Sequence, residues 1–463
     1  MEREEEMAYN FRACNRDQGY LLPPDIRDWV PEGDLAMFVV DAVKEMGVGE
    51  FCQSYRRDGR GGSAYPPEMM VTLLLYSYCV GERSSRRIER LCERDVAYRV
   101  ITGNTFPDHT TIARFRQGHE EALAGLFVKV LQLCAEAQMV KVGVVALDGT
   151  KMKANAALSA NRTQADLAEE VRKMLAEAEA VDREEDALYG KDKRGDELAE
   201  GLRDRKSRLA RLKECKERLE REAAARAAEQ ARKIAERKAE EQATGQKKRG
   251  RQPKTPEQAA DERAESKANV TDPESRIMKT RKGYEQAYNA QAVVTEDQIV
   301  VVAEVTQDEN DQKQCHPMMK QAAANLAAAG VNKKIGTALA DAGYWSHATA
   351  EECGENGPAP LIAATKDWKQ RKAMRDCPPP RGRTPKDLGL RDRMERKLLT
   401  KRGRELYKRR SQTVEPVFGQ IKDGRGFDRF MERGASAADA EWKVICATHN
   451  LLKLFRSGKA SWN

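Results

Sequence analysis

The sequence predicts a mixed α/β protein that begins with helices and carries a long charged helical insertion in its sheet. Three patterns lead there. Apolar residues recur at helical spacing through the first 140 residues. Two short apolar runs with no helical period, Val142–Leu147 and Ile335–Ala340, each end in an aspartate. Between them, residues 161–270 hold 28 Lys/Arg and 26 Asp/Glu with Tyr189 as the only aromatic, a composition that cannot fill a globular core.

In chain order, Pro66-Pro67-Glu68 opens a helix in which Met69, Met70, Leu73, Leu74 and Tyr78 recur on one face, and Gly81 interrupts it. Ser84 or Ser85 then serves as the N-cap of a second helix that carries Arg86 and Arg87. Pro107-Asp108-His109-Thr110-Thr111 opens a third, with Asp108 or Thr110 as cap and with Arg114 and Arg116 around Phe115. Short helices, tight turns and arginine near a helix start suit helix-turn-helix docking on DNA, and they suit any small helical domain equally well. Residues 1–140 are accordingly taken as a helix-turn-helix-like DNA-binding domain, with Arg86, Arg87, Arg114 and Arg116 as candidate contacts.

Val142–Leu147 is too short for a helix of its own and rich in valine, so it reads as a buried strand ending at Asp148-Gly149. Residues 161–270 are built from strong helix formers. Leu198, Leu202, Leu209, Leu212 and Leu219 fit a heptad seam, with Arg205 and Lys216 in its missing places. This predicts a coiled coil or helical hairpin, followed by a flexible basic linker at 247–253. After Gly283, Tyr284–Thr295 and Ile299–Thr306 flank Glu296-Asp297-Gln298 as a hairpin. A helix over Pro317–Ala329, a strand over Ile335–Ala340 that stops at Asp341, a short strand over Leu361–Ala364, and helices over Leu406–Lys422 and Ala437–Phe455 complete the order.

Charge and cysteine usage narrow the function. The chain has 463 residues and a formal net charge of +8. The excess is concentrated in residues 371–412, which hold 16 Lys/Arg against five acids. A single-sign field of that density calls for a polyanion such as nucleic acid, or for a solvated loop. No apolar run approaches the roughly 18 residues that a membrane span needs, and the acidic start carries no apolar targeting segment, so a cytoplasmic location is expected. The ten cysteines include no Cys-x-x-Cys pair and do not cluster with the five histidines, which disfavours zinc.

Two strand-end aspartates, Asp148 and Asp341, together with Glu415 on a late helix, form a set of oxygen donors without a His or Cys partner. Such a set suits a hard divalent cation, and paired ions about 4 Å apart drive in-line phosphoryl displacement. Asn289, Gln291 and Trp345 are candidates to line the same site or to pack as ordinary sheet-surface residues.

Three segments carry a family resemblance: Ala146-Leu147-Asp148-Gly149-Thr150-Lys151, Leu339-Ala340-Asp341-Ala342-Gly343-Tyr344, and Val414-Glu415-Pro416-Val417-Phe418-Gly419-Gln420-Ile421-Lys422. The chain resembles bacterial insertion-sequence transposases of the DDE class, and the N-terminal segments around Ser84 and Pro107 resemble the helical DNA-binding region of the same proteins. The resemblance implies a ribonuclease-H-like catalytic core over 141–160 and 271–455, interrupted by the insertion at 161–270. It implies Asp148, Asp341 and Glu415 as the catalytic, metal-binding triad, with two Mg²⁺ (or Mn²⁺) ions as cofactor. It also implies a Tyr, Arg, Glu, Lys signature. Lys422 follows Glu415 at the family's spacing, whereas Arg410, with Tyr407, precedes it by one residue more than the pattern has. The expected activity is binding of terminal inverted repeats, strand cleavage and strand transfer into target DNA, by a homodimer on the DNA, associated with the bacterial nucleoid and not with a membrane. The alternatives are a catalytically inactive, transposase-derived DNA-binding or regulatory protein, and a nuclease on the same core that never performs strand transfer.

Overall fold

The computed structural model describes residues 25–55, 63–174, 176, 200–245, 253–261, 267–280, 282–350, 357–365, 367–385 and 387–460. The first part is helical: α1 (Leu35–Met46), α2 (Pro67–Cys79), α3 (Ser85–Arg94), α4 (Val96–Ile101), α5 (His109–Gly118) and α6 (Glu120–Glu136). Aspartate caps start three of them. Asp34, Asp95 and Asp108 each accept a hydrogen bond from the backbone N–H two residues on, which satisfies donors that a helix start leaves unpaired. Ser84 occupies the N-cap of α3, but its hydroxyl makes no cap bond. Instead the Glu82 carboxylate accepts from the N–H groups of Arg83 and Ser84. The apolar stretch Met70–Cys79 leaves α2 buried on every side rather than along one stripe.

The sheet consists of β1 (Val144–Lys153), β4 (Arg276–Thr280), β5 (Gly283–Thr295), β6 (Val300–Thr306), β7 (Thr337–Ala340) and β8 (Ala359–Ile362). Its order is β4-β5-β1-β7-β8, and β6 also pairs with β5, so β4 and β6 divide one edge of β5 between them. β1 runs antiparallel to β5 and parallel to β7, and β7 runs parallel to β8, which makes the sheet mixed. From Gln286 onward every residue of β5 is buried, as its run of alanines and valines requires of a central strand.

Helices α10 (Cys315–Ala328), α11 (Trp368–Asp376), α12 (Leu390–Leu399), α13 (Lys401–Gly419) and α14 (Ala435–Ser457) follow the hairpin and strands. The edge strand β6 is closed by α14. The Asn450 side chain donates to the Val300 carbonyl and accepts from the Val300 N–H, and Asp439 accepts from the Val305 N–H. These two polar side chains act as a substitute neighbour strand. One hydrophobic core runs from Ala36 in α1 through the sheet to Leu454 in α14, so the helical beginning and the sheet share a single interior.

The insertion leaves the sheet after β1. A short ribbon, β2 (Asn161–Thr163) with β3 (Lys267–Asn269), closes its neck. Beyond the ribbon come α7 (164–174), α8 (Glu200–Thr244) and α9 (Pro256–Asp261). Leu212 and Leu219 pack with Leu167, Cys215 and Ala268 in a small core separate from the main one. Cys215 takes the seam place that a strict heptad gives to Lys216, because a straight helix has 3.6 residues per turn. Past Leu219 the surface of α8 is held by i,i+4 ion pairs such as Arg232–Glu236 and Arg237–Glu241. Leu198, the side chains of Leu202 and Arg205, and the basic run at 247–251 lie outside the described residues.

Candidate active site

The register of β1 against β7 sets the site. The two strands pair in parallel from Val144↔Thr337 to Leu147↔Ala340, so the next residues on each are Asp148 and Asp341. Asp341 ends its strand, as expected. Asp148 does not: β1 continues to Lys153 along β5, with Asp148 opposite Ala292 and Lys153 opposite Ala287. The strand outlasts its parallel partner because β5 is longer than β7. Asp148 thus stands where the parallel half of the sheet stops, the level at which open α/β sheets hold ligands.

Asp148 Oδ1 accepts from the Gly149 N–H at 3.0 Å, and Asp341 Oδ1 accepts from the Gly343 N–H at 2.8 Å. Burial pushes the Asp148 carboxyl up to about 6; Arg410 pulls it down, and the negative charges of Asp341 and Asp311 add to the rise. Gly149 admits no side chain, because a Cβ there would stand 2.3 Å from Gln291 Nε2 and 2.8 Å from Asp311 Oδ1.

Asp311 is a site residue that sequence reasoning missed. Its Oδ1 accepts from Asn289 Nδ2 and from Gln291 Nε2, both at 2.7 Å, and the buried Tyr344 hydroxyl donates to Gln291 Oε1. Lys151 Nζ lies 3.8 Å from Asp311 Oδ1. Asn289 and Gln291 are fully buried, two residues apart on one face of β5, and Asn289 Oδ1 has no hydrogen-bond partner among the described residues. Two amides on the buried face of an Ala/Val strand were the available signal. Asp308-Glu309-Asn310-Asp311 itself looks like a solvated loop. Trp345 is half-buried and packs against the main core, and its carbonyl accepts from Gln312 Nε2 at 3.3 Å.

Glu415 sits on α13, and its side chain is 55% exposed. Between it and the aspartates stands Arg410, whose Nη1 donates to Asp148 Oδ2 at 2.8 Å and whose Nη2 lies 3.6 Å from Glu415 Oε1. The structure brings the two aspartates together and holds the glutamate on the far side of a guanidinium. Among the described residues, no three His, Cys, Asp or Glu side chains converge on one point where they would hold a metal ion. The oxygen donors nevertheless fit a hard cation: two carboxylates on adjacent strands, with an orphaned carbonyl oxygen of Asn289 close by.

The remaining expected residues are placed as follows. Tyr407 donates its hydroxyl to the Ala340 carbonyl at 3.3 Å, next to Asp341. Lys422 lies in a π-helical turn, Gln420–Gly424, that replaces the last α-helical turn, and its Nζ donates to the Lys151 carbonyl at 2.6 Å. The α-helix expected over Leu406–Lys422 therefore ends at Gly419. Arg86, Arg87 and Arg114 are exposed, and Arg87 lies 3.5 Å from Glu82. Arg116 is not at the surface: it is 7% exposed, donates to the Arg83 carbonyl at 2.9 Å and lies 3.3 Å from Glu432. The sequence set Arg116 among DNA contacts, but the helix phase of α5 turns it inward beside Phe115. Several cations of 371–412 brace their own segment, since Arg404 donates to the carbonyls of Arg375 and Cys377, and Lys397 to that of Pro360. A cleft of about 540 Å³ beside Glu415 and Arg410 is lined by Arg375, Arg404, Tyr407 and Lys408 together with apolar residues such as Met374 and Leu398.

An acid pair at the carboxyl end of a parallel strand pair, linked through Arg410 to a cleft that also holds Arg375 and Arg404, is an arrangement suited to a phosphate-bearing polymer. Two family models match the chain: a transposase domain (DUF772) over residues 24–118 and a transposase DDE domain over residues 251–451. The second match includes Asp341 and Glu415 and leaves Asp148 outside it. No curated protein and no solved structure matches the chain. The chain belongs to the insertion-sequence DDE transposases, DNA transposases whose DDE domains generally work with divalent metal ions. No helix among the described residues is long and apolar enough to cross a membrane.

Proposed function

We propose that this chain recognises the terminal inverted repeats of its element, cleaves there with Mg²⁺ or Mn²⁺, and transfers the freed 3′ end into target DNA as a homodimer. The observation that carries the reading is the in-register pair Asp148 and Asp341, with Glu415 one guanidinium away. In this reading 1–140 recognises DNA, the ribonuclease-H-like core comprises 141–160 and 271–455, and 161–270 is an appended arm.

Two divalent ions, when bound, lower the pKa of the attacking water or hydroxyl and neutralise charge on the scissile phosphate. Asp148 and Asp341 supply the first oxygen ligands, and Glu415 joins them once Arg410 gives up Asp148. The natural competitor for Arg410 is a DNA phosphate, which accepts a guanidinium bidentately. DNA arrival and assembly of the acid triad are then one event. Tyr407 and Lys422, now on the Ala340 and Lys151 carbonyls, stand next to the same cleavage position and serve phosphates there. Arg86, Arg87 and Arg114 read the repeat, while Arg116 holds the domain together.

The test is cleavage of a labelled duplex carrying the element's own end, with Mg²⁺ or Mn²⁺, by the wild-type chain and by Asp341→Asn. Metal-dependent nicking at the repeat boundary by the wild type alone supports the reading. Equal nicking by both, or none by either while the duplex is bound, overturns it.

A further inference from the structure

At the neck of the insertion a cavity of about 360 Å³ is lined by four arginines and one acid: Arg162, Arg208, Arg211, Arg433 and Glu170. They come from three separate stretches of chain. Arg162 lies on β2, Arg208 and Arg211 on α8, and Arg433 on the loop before α14. Glu170 is shared, being ion-paired with Arg208 and 3.9 Å from Arg162 Nε. Arg433 spends its Nε on the Asn155 carbonyl, which leaves its charge uncompensated. Arg211 makes no hydrogen bond or ion pair among the described residues, and its Nε is buried without an acceptor.

Four guanidinium groups against one carboxylate leave three positive charges converging on one cavity. Like charges are not gathered this way for stability, since each adds repulsion and a desolvation cost. The arrangement needs an anion with several oxygens, and planar guanidinium forks match phosphate best. We infer that this pocket takes a backbone phosphate of duplex DNA, so that the root of the insertion forms a second DNA contact apart from the acids. The inference rests on the transposase reading and deepens it. The pocket lies away from the acids: from Asp148 to Lys153, β1 advances about 17 Å at roughly 3.3 Å per residue, and Asn155, which holds Arg433, lies just beyond. The contact reads no bases and adds affinity to every sequence alike.

The experiment is fluorescence anisotropy of labelled duplex with the full chain, between 50 and 200 mM salt, for wild type, Arg211→Gln/Arg433→Gln and Arg433→Glu. Thermal melting checks that each is folded. If the double variant fails to fold, Arg433→Glu carries the test, because Arg433 is exposed. The expected result is a fall of about one in the slope of log affinity against log salt for the double variant, at roughly 0.9 per phosphate no longer neutralised, and about tenfold weaker binding of repeat and scrambled duplex alike. Unchanged slopes in both variants, with wild-type binding intact, overturn the pocket alone. Lost binding of inorganic phosphate by calorimetry with an unchanged duplex slope overturns it too, since the pocket then serves free phosphate. A wild-type chain that binds no duplex overturns the transposase reading and the pocket with it.

Discussion

The sheet floor that carries Asp148 and Asp341 and the helix α13 that carries Glu415 are built in opposite ways. On the floor the polar side chains are held by neighbours: Tyr344 holds Gln291, Gln291 and Asn289 hold Asp311, and Gly149 and Gly343 hold the two aspartates through their N–H groups. On α13 the acid is more than half exposed, and its neighbour in the site is a guanidinium at 3.6 Å. On the proposed reading, two acids are positioned before any substrate arrives, and the third waits on what Arg410 does. A site assembled in this order avoids three uncompensated carboxylates in one place, which would repel one another strongly.

The largest expected effect belongs to the acids. Asp148→Ala, Asp341→Ala and Glu415→Ala each lower cleavage by about a thousandfold or more, equivalent to roughly 4 kcal/mol of lost transition-state stabilisation. The contrast appears in Mn²⁺ binding without DNA, read by electron paramagnetic resonance. Asp341→Ala loses it and Glu415→Ala keeps it. Equal loss in both breaks the division between floor and helix.

Glycine substitutions sharpen the contrast next. Gly149→Ala pushes a methyl group into the pinned Gln291 amide and lowers stability in urea by about 1–3 kcal/mol. Gly419→Ala at the end of α13 meets nothing within 4 Å and leaves the midpoint where it was or slightly higher.

The floor should also show acid sensitivity through His449. Burial holds this imidazole down at about 3, and its Nε2 pairs with the Gln298 carbonyl at the β5–β6 turn. The unfolded chain takes up a proton near pH 6.5 that the folded chain refuses. Stability present above pH 6.5 is therefore lost as pH falls towards 3, by about 2 kcal/mol at pH 5. His449→Gln should flatten the urea midpoint between pH 7 and pH 5, and an unchanged slope would show that other groups dominate.

The smallest effect concerns Arg410. Arg410→Gln frees Asp148 and is expected to tighten Mn²⁺ binding severalfold without DNA, while weakening duplex binding. Weaker Mn²⁺ binding in the variant would show that Arg410 supports the acids instead of standing in for the cation.

Much of this architecture was legible in the sequence, and its failures are physical. Apolar runs closed by Asp148 and Asp341 gave away the two central parallel strands, because a buried strand has no polar residues until it emerges. The second half of β1, Gly149–Lys153, was not legible. Its residues alternate around a glycine, and only pairing with β5 makes them a strand. Arg116 and Arg114 look alike in sequence, and helix phase alone sends one inward. Asp311 acquires its place from amides some twenty residues away, which no local pattern encodes. Glu415 was found through its motif, but the guanidinium between it and Asp148 is a tertiary fact.

The shared core of α2 and α14 bears on synthesis. Leu74, Tyr78 and Cys79 are covered in part by a helix that leaves the ribosome more than 350 residues later. Until residues 435–457 emerge, the growing chain shows an apolar α2 with part of its cover missing, a surface that invites chaperones and proteases. Maturation of the N-terminal half is thus tied to completion of the whole polypeptide, and fragments that end before α14 are expected to be short-lived.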